Sequence, residues 1–166
     1  NGCTSLTKIT IPDSVKSIGR GAFRSCKSLE EITIPCNILS IENEVFCRCT
    51  SLTKVTFESE LKIIKDAAFK NCISIKTISL PPTVDSICKE AFCQCTSLQS
   101  IKLSNDMKLI NSYAFMKCPS LTEIKLPSAI NHIGDGVFYD CTSLTKCILP
   151  TSLSDIPSYM FYGCKS

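Results

Sequence analysis

Apolar positions along this chain recur on a fixed period of 23 residues, and each period repeats the same internal order of apolar and polar side chains. With Cys3 as offset zero, the first unit runs to Ser25 and places apolar residues at Leu6, Ile9, Ile11, Val15, Ile18, Ala22 and Phe23. Six further units, opening at Cys26, Cys49, Cys72, Cys95, Cys118 and Cys141, align beneath it without gaps, and a partial unit opens at Cys164. A period of this length is the mark of a solenoid, whose units bury their apolar faces only by stacking on one another. Residues 1–166 are therefore expected to form a single repeat domain. Its ends carry no polar caps, which predicts a fragment of a longer protein.

Within each unit the pattern changes period. Ile9 and Ile11 alternate with polar Lys8 and Thr10, the signature of a strand with one buried face. Pro12 ends that strand, and proline returns at the same offset as Pro35, Pro81, Pro127 and Pro150, with Glu58 and Ser104 in the other two units. The apolar spacing of three in Val15-Lys16-Ser17-Ile18 fits either a short extended piece or the start of a helical turn. Gly21 to Ser25 is predicted to be a short helical or 3₁₀ turn, with Phe23 inward and small Ala22 permitting close approach of the next coil. Phenylalanine fills that offset in all seven units, at Phe23, Phe46, Phe69, Phe92, Phe115, Phe138 and Phe161, so a continuous aromatic stack is expected. The fold predicted is an α/β repeat solenoid with a parallel sheet on one face and short helical turns on the other, about 34 Å long by seven strand spacings.

Serine is as regular as cysteine, from Ser5 through Ser28, Ser51, Ser74, Ser97, Ser120 and Ser143 to Ser166. No histidine accompanies this row to act as a base, so its hydroxyls are assigned to backbone groups where the chain turns into the strand. Cysteine numbers thirteen, which would suggest a disulfide framework. Ladder cysteines lie on rungs about 4.8 Å apart with side chains pointing the same way, whereas a disulfide needs converging Cβ vectors; they are expected to be small buried hydrophobes. Cys47 and Cys93 share an offset two units apart, roughly 10 Å, too far for one disulfide or one zinc site. These two, with the isolated Cys36 and Cys88, are expected to be surface thiols open to reaction.

His132 is the only histidine, at a variable surface offset, and no catalytic triad, phosphate loop or zinc spacing surrounds it. No catalytic, cofactor-binding or metal-binding residues are predicted, and the chain is not expected to be an enzyme. The net charge of +3 comes from interspersed residues of both signs, without the basic stripe and stacking aromatics of a nucleic-acid reader. No apolar run would insert into a membrane, and no Asn-x-Ser/Thr acceptor occurs.

The run carried by Cys3, Ser5, Leu6, Ile9, Ile11, Pro12, Val15, Ile18, Gly19, Ala22 and Phe23 resembles the BspA-like, or Treponema pallidum type, leucine-rich repeat along the whole chain. Departures such as Ile75 for leucine, Cys147 for the strand isoleucine and Phe57 for Ile11 remain apolar. The resemblance implies a right-handed leucine-rich-repeat superhelix. It also implies a protein-binding or adhesion role on the surface of, or secreted by, an anaerobic bacterium or mucosal protist, with host matrix or cell-surface proteins as partners. It carries over no residue-level binding motif. The other reading is an intracellular, cytoplasmic scaffold, for which many unpaired cysteines would suit a reducing compartment.

Two surfaces are candidates for a partner. Outward strand positions supply Lys8, Thr10, Glu31, Thr33, Lys54, Thr56, Lys102, Glu123, Lys125 and Lys146, a polar face of mixed charge. Its threonines do not form the uninterrupted array that an ice-binding surface needs. The four tyrosines, Tyr113, Tyr139, Tyr159 and Tyr162, gather beside Met116 in the last three units and predict an aromatic patch on the turn side.

Overall fold

A computed structural model describes residues 2–165; Asn1 and Ser166, the last of the serine row, lie outside it. Eleven strands, numbered in chain order, fall in two columns. The alternating segments form β1 (Glu31–Ile34), β3 (Lys54–Phe57), β5 (Thr77–Ser79), β7 (Ser100–Lys102), β9 (Glu123–Lys125) and β11 (Lys146–Ile148). They pair in parallel as β1 with β3, β5 with β7 and β9 with β11, and Lys8 bridges to Glu31 ahead of them. The Val15-to-Ile18 offsets become β2 (Ser40–Ile41), β4 (Ile63–Ile64), β6 (Ser86–Ile87), β8 (Leu109–Ile110) and β10 (His132–Ile133), joined in one five-stranded parallel sheet. The open choice at that segment is thus resolved as extended chain. The single sheet expected from the sequence is replaced by two columns, because the second run of β-branched residues also pairs from unit to unit.

The predicted helical turns are absent: no described residue is helical. The reason lies on either side of the phenylalanine. At one flank Glu44, Ala67, Glu90, Tyr113 and Tyr159, and at the other Ser25, Arg48, Asn71, Gln94, Lys117 and Asp140, adopt φ between 53° and 63°. Left-handed residues at that spacing stop a right-handed helix from propagating. The amides alternate in direction instead. Ala22 N–H donates to Gly19 O at 3.1 Å and Arg24 N–H to Gly21 O at 3.0 Å within the unit. Gly21, Phe23 and Ser25 donate to Asn43, Val45 and Cys47 of the next unit at 2.8 to 3.0 Å. A helix would have used those amides internally; the turn ladder satisfies them while binding each coil to the next.

The core between the columns is a stack of phenylalanines. Rings of successive units, from Phe23 to Phe161, lie 5.2 to 5.9 Å apart with planes within 20° of parallel. Phe46, Phe69, Phe92, Phe115 and Phe138 are fully buried.

Cysteine's place beside this stack has a polar as well as an apolar cause. Cys49 Sγ donates to Phe23 O at 3.0 Å, and Cys72, Cys95, Cys118, Cys141 and Cys164 repeat the contact one unit further on at up to 3.3 Å. A small apolar side chain with a weak donor fills this niche, where alanine would leave the second carbonyl lone pair unmet. All thirteen cysteines are free thiols. Ser74 and Ser120 hydroxyls donate to Thr50 O and Thr96 O of the preceding unit at 2.6 and 2.7 Å, the backbone role assigned to the serine row. Where proline is replaced, Glu58 N–H extends the ladder to Ile34 O at 2.9 Å, and Ser104 Oγ bridges Pro82 O and Asp106 N–H.

Candidate functional site

The period-two pattern of the odd-numbered strands aims one set of side chains into the core and the other into solvent. In β5, β7 and β9 the central isoleucines, Ile78, Ile101 and Ile124, are buried while their neighbours on both sides are exposed. All ten sheet-face residues singled out from the sequence therefore share one face, but they do not form one site. Six of them, Lys8, Thr10, Glu31, Thr33, Lys54 and Thr56, line a shallow groove across the first units. The other four, Lys102, Glu123, Lys125 and Lys146, line a second groove across β7, β9 and β11. Short side chains on β5, Thr77 and Ser79, occupy the rung between. Sequence reasoning missed Asp13 and Glu58 in the first groove and Asn105 in the second, which Ile148, an outward strand position, also lines. Asp13, Glu58 and Asn105 lie just past the strand, Glu58 at the proline offset and the other two at the next, and those adjacent offsets at the strand exit were the available clue.

Charge is handled differently in the two grooves. Lys8 and Glu31, partners in register, form an ion pair at 2.6 Å. The hydrogen bond from Lys8, and then its charge, holds the Glu31 carboxyl below the usual carboxylate range, with Lys54 adding less; Lys8 is raised in turn. Lys146 and Glu123 are register partners in the same sense, yet they make no ion pair.

On the turn side the four tyrosines do gather. Tyr139 stacks on Tyr162 at 4.8 Å, and Tyr159 meets Tyr162 edge-on at 6.2 Å. The Tyr113 ring lies over Gly136, where an added Cβ would come within 2.5 Å of it. Loss of solvent raises the Tyr139 phenol, with Tyr162 and Asp140 contributing. Tyr159 and Tyr162 are exposed, while Tyr113, Met116 and Tyr139 are half-buried.

Cys47 and Cys93 are not surface thiols. Both are buried, and burial pushes the Cys47 thiol up and Cys93 to about 11. Cys88 is half-buried and also raised by burial; Cys36 is exposed. His132 is exposed on β10. Among the described residues no cluster of three or more His, Cys, Asp or Glu could hold a metal ion.

Two columns of short parallel strands, a 23-residue unit and a phenylalanine ladder define the chain, and known proteins are similar to it in repeat type and in fold. The BspA type Leucine rich repeat region matches residues 1–87 and 62–166 in six copies. The chain belongs to this family. Among solved structures, a leucine-rich repeat protein from Bacteroides ovatus superposes with a TM-score of 0.92 at 34% identity, covering 98% of this chain and 42% of that one. The Treponema pallidum leucine-rich repeat protein gives 0.85 at 28% identity, covering 93% and 75%. One from Eubacterium ventriosum gives 0.76 at 32%, covering 90% and 40%. The chain thus spans about two fifths of the length of the Bacteroides ovatus protein. No curated protein matches it. As a BspA-type repeat the chain is a repeat scaffold whose outward side chains are used by neither the stack nor the thiol ladder.

Proposed function

We propose that this chain is a protein-interaction module of a microbial cell-surface leucine-rich-repeat protein, engaging a host matrix or cell-surface protein through its sheet face. The observation that supports this is the face itself: ten outward side chains in two grooves, none of them needed by the core. Aromatic anchors concentrate instead on the turn side, which makes the tyrosine patch the second surface to test. Adhesion and surface display rest on membership of the BspA-type family. The competing intracellular scaffold drew on unpaired cysteines, but buried thiols such as Cys72, Cys95 and Cys118 stay unpaired in any compartment, so they do not favour it.

The chain, immobilised as bait for host-cell extract, is compared with Lys54→Glu plus Lys102→Glu and with Tyr139→Ser plus Tyr162→Ser. Capture is expected to fail in the lysine variant and persist in the tyrosine variant; capture surviving both rejects both surfaces. Antibody against the chain is expected to label intact cells, and labelling only after permeabilisation would select the intracellular scaffold.

A further inference from the structure

The two grooves of the sheet face carry opposite charge. Lining the first, Lys8 and Lys54 face Asp13, Glu31 and Glu58, a net charge of −1; in the second, Lys102, Lys125 and Lys146 face Glu123 alone, a net charge of +2. The first groove neutralises itself in part through the Lys8–Glu31 pair. None of the three lysines of the second is ion-paired among the described residues. Lys102 and Lys125 occupy the same offset on successive rungs, and Lys146 stands on the next rung beside Glu123, two residues before that offset, so three ammonium groups line one groove. Ile148, the register partner of Lys125, lies among them and is 43% exposed.

We propose that the groove over β7, β9 and β11 takes an extended acidic polypeptide segment of the partner; this rests on the sheet-face reading above and specifies its chemistry. Three rungs span about 10 Å, and an extended peptide advances about 3.3 Å per residue, placing alternate side chains roughly 7 Å apart on the facing side. Two carboxylates separated by one residue therefore fall within reach of the lysines. Lysine suits this occupant as a flexible point charge. The groove has no arginine fork for bidentate sulfate or phosphate recognition and no aromatic ring for base stacking, which argues against a sulfated glycan or nucleic acid.

The test uses fluorescence anisotropy with a labelled decapeptide of alternating Glu and Leu, the same peptide with Gln for Glu, and a heparin oligosaccharide. The acidic peptide is expected to bind saturably and to weaken as salt screens the lysines, while the Gln peptide does not bind. Lys102→Gln plus Lys125→Gln plus Lys146→Gln is expected to weaken binding by about tenfold or more. Lys16→Gln plus Lys62→Gln plus Lys108→Gln, at exposed positions outside both grooves, should leave it unchanged. Absence of saturable binding to the acidic peptide, equal loss in both variants, or binding of heparin alone would overturn the proposal. If the peptide fails while Lys54→Glu plus Lys102→Glu still abolishes partner capture, the acidic chemistry is wrong and the sheet face stands. If capture is insensitive as well, the sheet face itself is wrong.

Discussion

Phe92 shows how a single side chain ties neighbouring units together. Its ring is fully buried between Phe69 at 5.2 Å and Phe115 at 5.5 Å. Its carbonyl accepts both the Cys95 amide and the Cys118 thiol at 3.2 Å. Phe92→Ala removes a whole rung from a core with no room to collapse around the gap, so a loss of about 3 to 5 kcal/mol is expected from urea denaturation. Phe23 is only half-buried and stacks on one described neighbour, Phe46, so Phe23→Ala should cost clearly less. Equal losses at the two positions would mean that stacking on both faces contributes little beyond simple burial.

At the scale of the elements, the strands were legible and the turns were not. Alternation around Ile32, Ile78 or Ile124 can satisfy only one backbone period, so the first column and its outward residues follow from the sequence. The turn was misread because the adjacent apolar pair before Arg24, Ala22 and Phe23, imitates a helical step. On the flank before the phenylalanine glycine marks the left-handed position at Gly21 and Gly136, while Glu44, Ala67 and Glu90 adopt the same conformation without that marker. The bonds that hold them there are backbone bonds to another unit, which residue type does not encode. Burial of Cys47 and Cys93 was hidden similarly, since Arg24 and Lys70 occupy the same offset elsewhere and reach outward to Glu44 and Glu90. Ala67 offers a direct test. At φ 53° an alanine Cβ is strained by about 1–2 kcal/mol, and Gly136 already adopts this conformation at the matching position. Ala67→Gly is expected to stabilise the chain by about 1 kcal/mol and raise the melting temperature by about 2–4 °C. A lower melting temperature would show that the turn ladder imposes no strain at this position.

Over the whole molecule, a solenoid's stability is a sum of unit and nearest-neighbour terms, so an environment repeated along the axis multiplies its effect. The thiol ladder is such an environment. Burial raises Cys49 and Cys141 from the ordinary 9.0 to about 12, and Cys72, Cys95 and Cys118 also stand well above that value. A raised folded-state value means that the native chain keeps protons which the unfolded chain releases. The stabilisation is complete below the unfolded thiol value near 9 and is lost progressively as pH climbs from there toward about 12. The urea midpoint, measured under reducing conditions, should accordingly stay level through neutral pH and fall steeply above about pH 9. The slope should reflect several thiols acting together. Cys95→Ala, with one ladder thiol fewer, should have a lower midpoint at neutral pH but a shallower alkaline decline. An alkaline decline identical in slope to the parent chain would exclude Cys95 as a source of the pH dependence and reduce the ladder to a packing device.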